Sequence, residues 1–239
     1  NYDLRRAVEI SHYELIKDIN WYTRRGGNNS NIGRRVLESW TYLISVSTPH
    51  LAEEWGRCLN LPELVSASVM DNLDPMLSTE RDILDYEFVM RGVLENARKV
   101  KNIAEKHLGG NAEKLTLIIS PEWKNHLSRE AINYLNAGGN VKQFIQKLKQ
   151  MDFVNEANIG EIIGFWNKRM LSQVFKWDDK AKSLILSKID EEVILSERAS
   201  FIAEELGLSE VEVVAAENYQ GDDGRQNSAL PLSPSIVFA

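Results

Sequence analysis

The sequence predicts a mainly α chain: a helical bundle over residues 1–110, followed by a small α/β domain over 111–239 with a short sheet. Three observations predict it. Apolar residues recur at helical spacing through three long stretches before Gly109-Gly110. The run Leu115-Thr116-Leu117-Ile118-Ile119 is short, rich in β-branched residues and bounded by breakers, which is the pattern of a buried strand. Two further extended segments, 211–215 and 234–238, then close the chain after a second set of helices.

The first helix is expected from about Asp3 to Arg25, stopped by Gly26-Gly27. Arg24 and Arg25 end it, where the helix dipole favours cations. Arg34 and Arg35 open the second helix just across a short Asn/Ser turn, so four arginines converge at one end of a helical hairpin. Dipole compensation accounts for the first pair but not the second, which a polyanionic partner would explain. The second helix is expected from Asn31 to about Leu59, with Val36, Trp40, Leu43, Leu51, Trp55 and Leu59 on one face. Pro49 lacks an N–H and crowds the carbonyl four residues back, so a kink is expected between Ser45 and Pro49. Cys58 is expected to be buried or half-buried on that helix, and inert.

Residues 60–79, with Pro62 and Pro75, read as a connection with a short helix near Glu63 to Val69. A long helix from about Glu80 to Leu108 places Ile83, Val89, Val93, Val100 and Ile103 on its apolar side, and Gly109-Gly110 ends the first domain. After the strand, Ser120-Pro121-Glu122 is a helix start, with Ser at the cap, Pro at the first position and an acid in the first turn. Helices follow near 121–136, 141–151 and 159–175, while 180–188 is ambiguous. A last helix is expected over 190–206, ending at Gly207. Residues 217–228 read as an exposed loop, and 234–238 as an edge strand after prolines.

The composition, 43% hydrophobic and 26% charged, is that of a folded domain. A net charge of −7 excludes a protein that binds nucleic acid over its whole surface, and no DNA partner is expected. The charge is uneven, however. Nine basic residues stand against five acidic ones over 141–188, and the balance reverses to two against eleven over 189–239. Local charge rather than the total steers a polyanion. No apolar run approaches the length of a membrane span. One cysteine and four scattered histidines give neither a disulfide nor a zinc spacing. Helical periodicity begins at once without an initiator methionine, which reads as a piece of a longer protein. No Gly-rich phosphate loop and no nucleophile elbow occur. Adjacent Glu53 and Glu54 diverge by about 100° on a helix and do not share a site. No catalytic residue and no metal or cofactor site is expected in this chain.

Specific words of the sequence go further. Thr48-Pro49-His50-Leu51-Ala52-Glu53-Glu54-Trp55 closely resembles the Pro-His-x-x-Glu-Glu signature in the helical anticodon-binding domain of the class I aminoacyl-tRNA synthetases for leucine, isoleucine and valine, with one residue fewer before the tryptophan. Asp18-Ile19-Asn20-Trp21-Tyr22-Thr23-Arg24-Arg25, Arg34-Arg35-Val36-Leu37, Pro121-Glu122-Trp123-Lys124 and Ala229-Leu230-Pro231-Leu232-Ser233-Pro234-Ser235-Ile236-Val237 resemble the leucyl-tRNA synthetases of archaeal and eukaryotic type. The resemblance covers nearly the whole chain. The adenylate-forming His-Ile-Gly-His and Lys-Met-Ser-Lys-Ser signatures are missing, as is an editing domain. The resemblance therefore implies the helical tRNA-binding and C-terminal parts of such an enzyme, inactive alone, with ATP and magnesium handled elsewhere in the full-length protein. It implies tRNA-Leu as partner, gripped by its long variable arm, and a cytoplasmic, monomeric protein. Arg24, Arg25, Arg34, Arg35, Lys168, Arg169 and Lys176 become candidate phosphate contacts. Family contacts through main chain fall on Pro234, Ser235 and Ile236. Trp123 is expected in the core rather than as a stacking platform. The rival readings are the equivalent part of an isoleucyl or valyl enzyme, and a helical adaptor for another protein.

Overall fold

A computed structural model describes residues 3–61, 64–67, 81–108, 110–155, 158–221 and 223–239. The architecture is mainly helical with one small sheet. It divides into two compact units, Asn1–Thr79 and Glu80–Ala239.

In the first unit α1 (Leu4–Val8) runs through a wide π turn (Glu9–Glu14) into α2 (Leu15–Arg24). Asp3 caps the start by accepting from the Arg6 N–H at 3.0 Å. A tight turn leads to α3 (Ser30–Ile44), whose first N–H groups bond the Asn29 side chain. Gly26 turns the chain at φ +80°, and a Cβ on Gly27 would lie 2.4 Å from the Tyr22 ring. The turn thus wraps an aromatic ring that only glycine lets approach.

The expected kink is a reversal. Helix α3 stops at Ile44, and α4 (Pro49–Leu59) starts afresh with Pro49 in its first turn. Thr48 before the proline leaves the helical region (φ −135°), and its hydroxyl and N–H both return to the Ile44 carbonyl. The helices then run antiparallel: Trp40 meets Trp55 edge-to-face at 5.2 Å, and the Arg34 guanidinium reaches the Leu59 carbonyl at 2.8 Å. Ile44, Ala52, Gly56 and Val65 are buried. Cys58 on α4 is exposed rather than buried. Of the expected short helix near 63–69, Leu64 (φ +61°) and a single 3-10 turn (Val65–Ala67) are described, and residues 63, 68 and 69 lie outside the described residues.

The second unit begins with α5 (Arg81–Leu108). The sequence placed the domain boundary after this helix, at 110. Packing places the helix in the second unit, because its buried face meets later elements. That face is Val89, Met90, Val93, Leu94 and Ala97, whereas Ile83 and Ile103 of the expected face are exposed. Lys101 donates to the Leu206 carbonyl, Arg98 pairs with Glu205, and Lys180 pairs with Asp85. Such long-range partners are invisible to periodicity.

Strand β1 (Lys114–Ile119) is central in the sheet. The expected helices appear as α6 (Glu122–Asn136), α7 (Val141–Leu148), α8 (Ile159–Phe165), a π turn (Trp166–Met170) and α9 (Leu171–Lys176). The ambiguous stretch is helix α10 (Asp179–Leu186), capped by Asp178. The expected last helix is broken at Glu197-Arg198 into α11 (Glu191–Ser196) and α12 (Ala199–Leu206), the latter ending at Gly207 with φ +62°. Strand β2 (Glu210–Ala215) lies parallel to β1, and β3 (Ser235–Phe238) pairs antiparallel on its other side, giving the order β2-β1-β3. A parallel neighbour needs a long crossover, which the helices α6 to α12 supply. Phe144, Trp166 and Tyr134 anchor the helical core, with Phe144 and Trp166 centroids 4.6 Å apart.

Candidate nucleic-acid interface

The four arginines of the first unit lie on the two helices joined by the Tyr22 turn. Arg24 is exposed in the last turn of α2, its guanidinium 5.6 Å from the Trp21 ring centroid. Arg25 caps that helix, and its N–H returns to the Trp21 carbonyl. Arg34 and Arg35 are exposed in the second turn of α3. Sequence reasoning found no dipole role for the second pair, and for Arg34 the structure corrects this. Its Nη2 donates to the Leu59 carbonyl at 2.8 Å and its Nε to Glu38 at 2.7 Å. Arg34 is a cation at the C-terminal end of α4, so the hairpin turns an unfavourable position on one helix into a favourable one on its neighbour. Glu53 and Glu54 diverge as expected. Glu53 accepts from the Val65 and Ser66 N–H groups and the Ser66 hydroxyl, which hold its carboxyl below the usual range, while Glu54 pairs with Arg57.

In the second unit the π turn sets the geometry. One extra residue per turn keeps Trp166 and Met170, four apart, both in the core, and swings Asn167, Lys168 and Arg169 outward. Lys176 is exposed at the end of α9. Of the other cations in the unit, Lys147 pairs with Glu130, Lys114 with Glu210 and Glu212, and Arg129 with Glu122, whereas Lys142, Lys149, Lys182 and Lys188 have no ion pair among the described residues. Lys168, Arg169 and Lys176 have no ion-pair partner among the described residues. Charges left in water in this way are available to a polyanion.

Pro234, Ser235 and Ile236 are buried as whole residues, Ser235 and Ile236 each 8% exposed. Lys114 and Ala239 exchange both N–H···O bonds at 3.0 Å, and the alternation of an antiparallel ladder makes Val237 and Ser235 the next bonded positions. The N–H and C=O of Ile236 point the other way, along the edge of the sheet that β3 forms.

The Pro121-Glu122-Trp123-Lys124 motif is structural. Lys124 is 3% exposed and donates to the Asn227 and Ala229 carbonyls, both at 2.9 Å, fastening the 225–229 segment to α6. Burial, and then the charge of Arg169, push its ammonium down to about 8. Trp123 packs edge-on against Phe165 at 5.2 Å, as expected of a core residue. Sequence reasoning missed the burial of both Lys124 and Glu191. The signal was present: Lys124 precedes Leu127, Ser128 and Ala131 by three, four and seven, and Glu191 precedes Ile194 and Leu195 by three and four. Glu191 is 6% exposed; its Oε1 accepts from the Leu232 N–H at 2.8 Å and its Oε2 has no partner. Burial raises its carboxyl to about 7, against the pull of that hydrogen bond.

Among the described residues no three potential metal ligands gather. The β1–α6 connection, where a phosphate loop would sit, is Ser120-Pro121, without glycine and with one N–H removed. These residues do not fit a nucleotide. No helix of the described residues is long and apolar enough to cross a membrane.

The comparisons with known proteins supply the class that this geometry leaves open. No protein-family model matches the chain, but among curated proteins it is similar to aminoacyl-tRNA synthetases over nearly all of its length. These are leucine–tRNA ligases of archaea. That of Methanococcus vannielii is 31% identical over 235 residues, covering 98% of this chain and 22% of the relative. The Methanococcoides burtonii enzyme is 27% identical over 237 residues (98% and 24%), and that of Archaeoglobus fulgidus 23% over 239 (100% and 22%). The chain is thus related to the archaeal leucine–tRNA ligases and spans about a fifth of their length.

Proposed function

We propose that this chain is the tRNA-binding C-terminal portion of a leucyl-tRNA synthetase of archaeal type, which positions tRNA-Leu and recognises its long variable arm during ATP-dependent ligation of leucine. The observation that carries the reading is the similarity to leucine–tRNA ligases across 98% of the chain. The geometry supports it at two places. Lys168 and Arg169 on the π turn and Lys176 on α9 are exposed and have no ion pair among the described residues, and phosphates of an RNA arm would release counterions there. On the edge strand β3, Ile236 has an N–H and a C=O that do not bond β1, which suits contact to an unstacked base by main chain. Arg24, Arg25 and Arg35 form a second set of phosphate contacts in the first unit, joined by Arg34, which also holds the C-terminal end of α4. ATP and magnesium belong to parts of the enzyme outside this chain, whose own residues carry no catalytic step. The protein works in the cytoplasm as a monomer.

The test is a titration of the chain with labelled tRNA-Leu, tRNA-Ile and tRNA-Leu lacking its variable arm, across a salt series. Tightest binding to intact tRNA-Leu is expected. Equal, salt-sensitive binding to all three would reduce the reading to generic RNA affinity, and absence of binding would favour a protein-interaction adaptor.

A further inference from the structure

A cleft of about 440 Å³ opens in the second unit beside the C-terminal end of β1, lined by residues of α6, α10, α11 and the 231–232 segment. Its size is that of a small-molecule site. Two of its residues, Glu191 and Ser120, are 6% and 5% exposed, and each has a buried side-chain oxygen without a hydrogen-bond partner among the described residues, Oε2 and Oγ respectively. Buried polar oxygens left unmatched are costly, and two beside one cleft point to a hydrogen-bonding ligand that binds there.

The lining selects the donor. Glu122, Asp190, Glu191, Glu192 and Glu217 face two cations, Arg129 and Lys188, and Arg129 is already held by Glu122 at 2.7 Å. The surplus is negative, which repels phosphate and attracts a cation. No aromatic ring lines the cleft, so a nucleobase would find no stacking surface. Ile119, Leu184, Ile185 and Leu232 supply apolar wall instead, which suits methylene groups. We infer that the cleft binds a free aliphatic diamine: one ammonium donates to Glu191 Oε2 and Ser120 Oγ, the carbon chain lies against the apolar wall, and the second ammonium meets Glu192 and Glu217 at the rim. This ligand is separate from the tRNA contacts proposed above and involves none of their residues.

The test is an NMR titration of the 239-residue chain with 1,4-diaminobutane at low salt and pH 8, above the Glu191 value of about 7, so that its carboxyl is charged. Saturable shifts are expected at the Leu232 amide, which donates to Glu191, and at Ser120, with no saturation by uncharged 1,4-butanediol. Glu191→Gln keeps the shape and the acceptor for Leu232 but removes the charge, and should weaken diamine binding about tenfold or more. Ser120→Ala, a smaller change, should weaken it less but measurably. Glu95→Gln on α5, an exposed residue paired with Lys99, should leave it unchanged. Binding unaffected by both cleft variants, shifts confined to exposed carboxylates, or equal binding of butanediol would overturn the inference. Tighter binding of Nα-acetyl-lysine methylamide than of the diamine would overturn it as well, by assigning the ammonium to a partner protein's lysine.

Discussion

Replacing Glu191 by Gln should change how the stability of the second unit depends on pH. The carboxyl is raised from 4.5 to about 7 by burial, which the Leu232 hydrogen bond offsets in part and the neighbouring Asp190 charge reinforces. The folded state therefore holds a proton that the unfolded state has released. Between pH 4.5 and 7 the unfolded chain binds fewer protons, so stability falls as pH rises and levels off above about 7. Each unit of displacement corresponds to about 1.4 kcal/mol. Between pH 5 and 8.5 wild type should lose about 2–3 kcal/mol that the Gln variant, which does not titrate, keeps. Gln adds a constant offset, because its amide N–H groups occupy the place of the unpartnered Oε2, but this offset does not vary with pH. The assay is urea unfolding from pH 5 to 8.5, followed through amide resonances of β1, which report the second unit alone. The difference in unfolding free energy between variant and wild type should rise with pH. A difference that stays flat within about 0.5 kcal/mol would refute the assignment of a buried, protonated Glu191.

Three further outcomes are expected. Gly27→Ala drives a methyl into the Tyr22 ring at 2.4 Å and should destabilise the first unit by about 1–3 kcal/mol, measured by thermal unfolding; pairing it with Tyr22→Leu should recover part of the loss. Lys124→Met removes both hydrogen bonds to the 225–229 segment and should cost about 2–3 kcal/mol, with faster amide exchange at Asn227 and Ala229. Neutralising Arg34 and Arg35 together should weaken tRNA binding and flatten the slope of log affinity against log salt by about 1–2. Arg34→Gln alone should also lower stability by about 1 kcal/mol through the loss of the Leu59 contact.

Much of the second unit was legible because its signals are local. The buried strand, the Ser-Pro-Glu helix start, the α7 face and the Gly207 stop each depend on residues within one or two turns of each other. The failures were long-range. Ile83 fits the periodic stripe of α5 as well as Val89 does, yet only the portion from Val89 to Ala97 is buried. Pro49 announced a disturbance, but its angle, a reversal rather than a kink, was set by Trp40 meeting Trp55 and by Arg34 reaching Leu59.

The sequence by itself determined the mainly helical class, the short sheet, most element positions, the clusters of cations and, through its motifs, the resemblance to leucyl-tRNA synthetases. The tertiary structure decided which cations are spent on the fold. Arg34 serves α4 and Lys124 a distant loop, whereas Lys168, Arg169 and Lys176 remain in water. It also placed α5 with the second unit, buried residues 234–236 on the edge strand, and buried Glu191 beside a cleft. Periodicity fixes which side of an element is apolar, but the partner a charge meets depends on which elements that side brings together, often about a hundred residues away.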